Sequence, residues 1–160
     1  MRKVCFTFLT AFVLVVAMSS SVFAAGWLPM SGVALGGVTL EMTQNAVANI
    51  YGQPSTSTDR GVSRMDGCRH VIWKYGDSFV IDFADGSVDT VQTDANNGIQ
   101  TQAGIHVGSS ENDIWSAYGE PWFRQGNGGR QLYWYHTEKD RKLFITVSNG
   151  RVTKIAVAYE

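Results

Sequence analysis

Apolar and polar residues alternate along six segments of the chain, with the two-residue period of a β-strand whose two faces lie in different environments. Phe79, Ile81 and Phe83, for example, occupy every second position of one such segment. Asp-Gly at 85–86 and Asn-Gly at 149–150 favour tight hairpins, because both residues of each pair accept positive φ. The pattern therefore predicts two antiparallel meanders of three strands each. The predicted strands cover residues 70–76, 78–84, 87–93, 131–136, 142–148 and 151–159.

Two short segments instead place apolar residues four apart, the spacing that aligns side chains on one face of a helix. Val47 and Tyr51 have this spacing, and so do Ile114 and Tyr118. A hydroxyl residue precedes each segment as a predicted N-cap, and a Gly followed two residues later by a Pro ends it. Each predicted helix is too short to be stable unless it packs against the sheet. The capping and ending residues are Thr43, Gly52 and Pro54 in the first segment and Ser110, Gly119 and Pro121 in the second.

The two helix-containing segments are copies of one pattern. Residues 37–54 read GVTLEMTQNAVANIYGQP and residues 104–121 read GIHVGSSENDIWSAYGEP, and they align without a gap at an offset of 67. The similarity continues into the strands that follow each helix, with loops of different length. We therefore predict an α+β fold made of two tandem helix-plus-three-strand repeats, residues 32–94 and 103–160. The repeats are expected to form one antiparallel sheet with the short helices packed on one face.

These features resemble the β-lactamase-inhibitor-protein-like fold and the domains of the SmpA/OmlA outer-membrane assembly lipoproteins. The shared features are a Gly-apolar-x-apolar entry, a capped helix, a Tyr-Gly-x-Pro exit, an aromatic-x-Tyr strand and a final Asp/Asn-Gly hairpin. They extend over nearly all of residues 32–160. The resemblance implies a scaffold that is used for recognition. The chain lacks the lipid-attachment motif of the assembly lipoproteins and the disulfide pair of the secreted inhibitors, and the resemblance assigns no contact residue.

The N-terminal segment has the layout of a secretory signal peptide. Arg2 and Lys3 precede an apolar run over residues 4–18, and a Val-Phe-Ala sequence suited to signal peptidase ends at Ala24. We expect residues 1–24 to be removed by cleavage after Ala24, which leaves residues 25–160 as one secreted or periplasmic domain without a membrane span. The alternative of a membrane anchor needs about 20 apolar residues. A lipid anchor needs a cysteine at the end of the apolar run, whereas Cys5 lies at its start.

Removal of this segment leaves eleven Lys and Arg residues against fourteen Asp and Glu residues, a net charge of −3. No Lys/Arg cluster remains, so a nucleic-acid partner is not expected. Cys68 would be the only cysteine, and the stability of the fold must then come from an apolar core instead of disulfides. Three roles stay open for Cys68: a structural residue, a bond to a second chain, or a catalytic thiol.

Residues with catalytic or metal-binding chemistry are dispersed along the chain. His70, His106 and His136 lack the close spacing that is common in metal sites. The acidic pattern over residues 82–89 does not have the spacing of an EF-hand loop. We therefore predict no catalytic residues, no metal and no cofactor, and we do not expect an enzyme.

Aromatic residues are the candidates for binding. Tyr133 and Tyr135 are predicted to face the helices, so Trp134 between them must point away from the helices. A solvent-facing sheet surface that carries a Trp is unusual unless a partner covers it. The second repeat also has three aromatic residues where the first has small ones, which pack between the repeats or extend the binding surface. The candidate partner-binding residues are Trp134, Phe144, His136, Lys74, Trp115, Trp122 and Phe123.

The predicted function is that of an exported soluble binding module, which recognises a protein or cell-envelope partner through the exposed face of its sheet. An envelope assembly or structural accessory protein is the main alternative. A hydrolase inhibitor and an enzyme are less favoured. The sequence leaves the oligomeric state and the identity of the partner open.

Overall fold

The computed structural model of the protein describes residues 26–29, 33–127, 129–137 and 140–159. The predicted signal peptide lies outside these residues. Neither helix among these residues has the length and hydrophobicity of a membrane-spanning helix. The elements are helix α1 (Gln44–Tyr51) and strands β1 (Thr56–Val62), β2 (Arg69–Tyr75), β3 (Phe79–Ala84) and β4 (Ser87–Thr93), followed by helix α2 (Glu111–Tyr118) and strands β5 (Phe123–Asn127), β6 (Arg130–His136), β7 (Arg141–Ser148) and β8 (Arg151–Tyr159).

All eight strands form one antiparallel sheet in the order β1-β2-β3-β4-β8-β7-β6-β5. Strands β1 to β4 form one meander and strands β5 to β8 form another. The two meanders join where β4 pairs with β8, with Thr93 opposite Ile155. The predicted fold of two helix-plus-three-strand repeats is therefore wrong. Four strands follow each helix, and a single continuous sheet dominates the structure.

The two strands that the sequence analysis missed, β1 and β5, are the edges of this sheet. Every residue of β5 is exposed, and in β1 only Gly61 is partly covered. An edge strand with so much contact with water needs no alternation of apolar and polar residues, so TSTDRGV and FRQGN carry no strand pattern. A bulge between Asp59 and Gly61 also interrupts the register of β1. Such a bulge disfavours pairing of the edge with another chain.

Both helices begin and end where the sequence predicts. The Thr43 hydroxyl accepts a backbone N–H of the first turn of α1 at 3.2 Å. At the start of α2, the Asp113 carboxylate accepts the Ser110 amide at 2.7 Å and the Ser110 hydroxyl accepts the Asp113 amide at 3.2 Å. This reciprocal pair satisfies two backbone donors. Gly52 and Gly119 follow the helices with φ of 75° and 69°, a conformation that glycine adopts without a steric penalty.

The two predicted hairpin turns are also confirmed. Asp85 and Gly86 have φ of 48° and 84°, and Asn149 and Gly150 have φ of 50° and 72°. Two successive residues with positive φ give a turn whose twist matches that of the strands on either side. These turns connect β3 to β4 and β7 to β8, and they fix the registers of the innermost strand pairs of each meander.

Both helices pack on one face of the sheet, here called the helix face. The Tyr51 ring of α1 contacts Phe79 with centroids 5.1 Å apart, and the Tyr118 ring of α2 contacts Tyr135 at 5.3 Å. The Tyr135 hydroxyl also donates to the Gly119 carbonyl at 3.0 Å, which ties the end of α2 to β6. The helix face and the segments before each helix supply the apolar core. Its fully buried residues include Leu35, Val38, Val47, Ile81, Phe83, Val91, Ile114, Tyr133, Tyr135, Leu143, Ile145, Ile155 and Val157.

Candidate functional site

The face of the sheet opposite the helices, here called the outer face, carries a group of aromatic side chains at its β5–β6 corner. Phe123 of β5 lies opposite Trp134 of β6, and Trp134 lies opposite Phe144 of β7. Because directly opposed residues point to the same side of a sheet, the three rings form a row across the strands. The ring centroids are 4.9 Å apart for Phe123 and Trp134 and 5.7 Å apart for Trp134 and Phe144.

Three further rings, those of Trp27, Trp122 and His136, extend this row at the end of β6. The ring centroids of Trp27 and Trp122 are 6.0 Å apart in an edge-to-face arrangement, and His136 lies 5.8 Å from Trp27 and 5.2 Å from Trp122. All these separations lie within the range of direct aromatic contact. The six residues Trp27, Trp122, Phe123, Trp134, His136 and Phe144 are here called the aromatic surface.

Backbone hydrogen bonds hold the added residues in place. The Trp122 amide donates to the Trp134 carbonyl at 2.9 Å. The segment around Trp27 runs beside the end of β6, where the His136 amide donates to the Gly26 carbonyl and the Leu28 amide donates to the His136 carbonyl, each at 2.8 Å. Gly26 has φ of 76°, and a Cβ there would collide with the Trp122 backbone. A glycine is therefore required for this segment to approach Trp122 so closely.

Exposure divides the aromatic surface into a floor and an outer layer. Trp122, Phe123 and Trp27 are 57%, 44% and 38% exposed. Trp134 is only half-buried, and its Nε1 is buried without a hydrogen-bond partner among the described residues. Lys142 places its Nζ 5.3 Å from the centroid of the Trp134 ring, a cation–π contact that covers part of it. Trp134 is thus the less exposed centre of the row, in ring contact with Phe123 and Phe144, and is here called the floor of the aromatic surface.

The aromatic surface is a packed platform, not a cage. The Trp27, Trp122 and His136 rings already contact one another at 5.2 to 6.0 Å, which leaves no space for a ligand group between them. Any partner must therefore contact the outward sides of Trp122, Phe123 and Trp27. This geometry suits a broad contact more than the enclosure of a small molecule.

The structure brings together five of the seven predicted binding residues: Trp134, Phe144, His136, Trp122 and Phe123. Lys74 was expected beside them, which is wrong: β2 lies five strand spacings from β6, about 24 Å away. Trp115 was also grouped with them, but its ring packs on Tyr133 at 5.9 Å on the helix face. Sequence spacing indicates which face a strand residue occupies, but not the order of the strands.

Two further expectations about these aromatics need correction. Trp134 was expected to be the exposed anchor, but it is the half-buried floor, and the exposed rings are Trp122 and Phe123. The alternative that the additional aromatics pack between the two halves of the chain is also wrong for Trp122 and Phe123. These residues lie at the β5 edge, whereas the halves meet at the β4–β8 pair.

Sequence reasoning missed two residues of this region. Trp27 joins the aromatic surface through one bridge to β6, and so short a pairing has no recognisable pattern. Lys142 lies on the same face as Phe144 because the two are separated by one residue of β7. The alternation that placed Phe144 could therefore have placed Lys142 as well.

Neither metal binding nor thiol reactivity is favoured in the rest of the chain that the structure describes. No group of three or more His, Cys, Asp or Glu side chains is arranged to hold a metal ion there. The Cys68 thiol is half-buried and unbonded to another cysteine. A hydrogen bond with Asp85, followed by burial, raises the pKa of Cys68. A raised pKa keeps the sulfur protonated and disfavours nucleophilic reactivity, in agreement with a structural role.

No family model and no curated protein matches this sequence. Two solved structures share part of its shape. An extracellular protein containing a SCP domain, from Bacillus anthracis, is 8% identical over 76% of this chain and 44% of its own, with a TM-score of 0.48. The DUF4309 family protein YjgB from Bacillus subtilis is 10% identical over 74% of this chain and 78% of its own, with a TM-score of 0.41. This chain spans less than half the length of the first. Neither is described as a β-lactamase-inhibitor-like or SmpA/OmlA-type protein, and at these scores neither assigns a family to the chain.

Proposed function

We propose that this protein is an exported binding module whose aromatic surface anchors a protein or a cell-envelope component. The observation that carries the proposal is the exposure of Trp122, Phe123 and Trp27 at one corner of the sheet, where Trp27 and Trp122 are in ring contact and Phe123 is in ring contact with Trp134. Contiguous exposed apolar surface of this kind marks interaction sites in folded proteins. Trp is also the residue type most enriched among the residues that dominate binding energy.

The contacts that fix the exposed rings in place favour binding over a purely structural role. Trp122 is held by a backbone bond to β6 and by ring contacts to Trp27 and His136. Phe123 rests on Trp134. Because the rings are already fixed in the free protein, their side chains lose less conformational entropy on binding than mobile side chains would. A rigid aromatic platform thus provides contact area at low cost in ordering.

The polar groups around the platform fit a recognition surface. Gln125 and Asn127 follow Phe123 at alternate positions of β5, so they lie on the outer face next to the rings. A shallow cavity of about 350 Å³ lies beside them, also lined by Leu132 and Thr146. An apolar centre with a rim of amide and hydroxyl groups is the usual composition of a protein interface.

A double substitution tests the proposal. The double variant Trp122→Ala/Phe123→Ala of residues 25–160 should bind an isolated envelope fraction of the exporting cell at least about 30-fold more weakly than the unchanged protein. This factor is equivalent to about 2 kcal/mol, the cost of losing a dominant contact. Co-sedimentation over a range of protein concentrations measures this change. The melting curve should move little, because exposed side chains contribute little to stability.

Ile50→Ala is the matched control, because Ile50 is 48% exposed, like Phe123, but lies on helix α1. This variant should bind like the unchanged protein. The proposal fails if the double variant sediments with the envelope fraction as much as the unchanged protein does. It also fails if Ile50→Ala weakens binding as much as the double substitution does.

A further inference from the structure

A second group of side chains, far from the aromatic surface, links the β1–β2 turn to the sheet. His70 of β2 is placed between two carboxylates. Its Nδ1 lies 3.1 Å from Asp82 Oδ1 on β3, and its Nε2 lies 2.9 Å from Asp66 Oδ2 in the turn. The imidazole ring is therefore the bridge between a residue of the turn and a residue of the neighbouring strand.

The two contacts demand a charged ring. A neutral imidazole carries one N–H, whereas the imidazolium ion carries two. Only the charged form of His70 can donate to Asp66 and Asp82 at once. When the ring loses a proton, one nitrogen presents a lone pair to a carboxylate oxygen, and that contact becomes repulsive.

The turn end is the one that should separate. Asp82 is part of β3 and is held by the pairing of β3 with β2 and β4. Asp66 belongs to a turn that is closed at its base, where the Ser63 amide donates to the Cys68 carbonyl at 2.8 Å. The other oxygen of the Asp66 carboxylate accepts the Cys68 amide at 3.1 Å within this turn. At its tip, Met65 is 98% exposed. The Asp66 contact thus links the exposed turn to His70 on the outer face of the sheet.

Few other charges reach His70. Arg60 of β1 lines the same shallow cavity, of about 460 Å³, as His70, Asp66 and Asp82. Lys74 lies on the same face of β2 but four residues away, at about 13 Å. The two carboxylates are therefore the dominant partners. The hydrogen bond with Asp66, followed by that with Asp82, raises the pKa of His70. The hydrogen bond with His70 is in turn the main reason why the pKa of Asp66 falls to about 2.

We propose that Asp66, His70 and Asp82 form a pH-dependent latch, which holds the β1–β2 turn against the sheet while His70 is charged and releases Asp66 when His70 is neutral. The device changes the exposure and motion of the turn over residues 63–68. It is independent of the aromatic surface.

The signs of the two shifts define the range in which the latch is closed. The pKa of His70 is raised, so its contribution is complete below the ordinary histidine value of about 6.5 and is lost as pH rises through the raised value. The pKa of Asp66 is lowered, so its contribution is present above about 3.9 and is lost as pH falls toward about 2. The latch is thus closed at pH values between the lowered pKa of Asp66 and the raised pKa of His70, and it opens when the pH rises above the latter.

NMR spectroscopy of residues 25–160 tests the latch. The His70 ring signals should titrate with a midpoint above that of an ordinary histidine, and Asp66→Asn should lower this midpoint. Backbone order parameters of Met65 and Asp66 should stay near 0.85 below the midpoint and fall toward about 0.6 above it.

The variant His70→Asn cannot carry the charge. Its turn should have the low order parameters of the open state at every pH, while its melting curve shows that the domain remains folded. A midpoint for His70 that Asp66→Asn leaves unchanged would overturn the proposal. So would order parameters in the turn that stay constant through the His70 titration, or a turn in His70→Asn that is as rigid as in the unchanged protein at acidic pH.

Discussion

Replacing Tyr135 with alanine should lower the free energy of unfolding by about 3–5 kcal/mol, the usual cost of removing a large buried ring. Tyr135 is fully buried on the helix face, and its ring packs on Tyr118 of α2. Its hydroxyl donates to the Gly119 carbonyl at the end of that helix. The substitution would therefore leave a cavity and detach the helix end from β6. Chemical denaturation of the purified variant measures the change.

Tyr135→Phe separates the two contributions. It keeps the ring and removes one hydrogen bond, so it should cost about 1 kcal/mol. Tyr75 makes the corresponding bond to the Gly52 carbonyl at 2.9 Å but is more exposed, so Tyr75→Ala should cost less than Tyr135→Ala. A Tyr135→Ala protein with unchanged stability would mean that the assignment of the helix face is wrong.

Replacing Trp134 with alanine should reduce both stability and binding. Trp134 is half-buried between Phe123 and Phe144, so its loss should cost about 2 kcal/mol of stability, less than the loss of a core aromatic residue. Phe123 would also lose its ring contact with Trp134, so binding to the envelope fraction should weaken. The double substitution at Trp122 and Phe123 should weaken binding without this loss of stability.

Trp134→Phe is the control for this variant. It retains an aromatic floor and removes the indole Nε1, a buried donor without a hydrogen-bond partner among the described residues. Removal of an unsatisfied donor offsets part of the lost contact, because leaving such a group buried costs about 1–3 kcal/mol. Trp134→Phe should therefore be more stable than Trp134→Ala. The floor assignment is contradicted if Trp134→Ala binds and melts like the unchanged protein.

Features of the fold that depend on neighbouring residues were predictable from the sequence. The N-caps Thr43 and Ser110 and the positive-φ turns at 85–86 and 149–150 need only a few adjacent residues to be specified. The strands with one buried face were predicted for the same reason, since burial imposes alternation. The edge strands β1 and β5 were not, because exposed residues on both faces leave no pattern to read.

The candidate site was predictable only in part. Alternation along β6 and β7 correctly placed Trp134, His136 and Phe144 on one face. It could not show that Lys74 lies on a distant strand, because strand order is set by contacts between residues far apart in the chain. Trp27 reaches the site through two backbone bonds to His136, and no local sequence pattern encodes such a contact.

Site-specific photocrosslinking in the exporting cell tests the central claim, that the aromatic surface contacts the partner. A photoreactive phenylalanine analogue would replace Trp122 or Phe123 in turn, and Ile50 or Met65 as exposed controls on helix α1 and at the β1–β2 turn. We predict a shared adduct from positions 122 and 123 that is absent from positions 50 and 65 and is lost when Trp134→Ala is added. Equal adducts from the control positions, or none from positions 122 and 123, would contradict the claim.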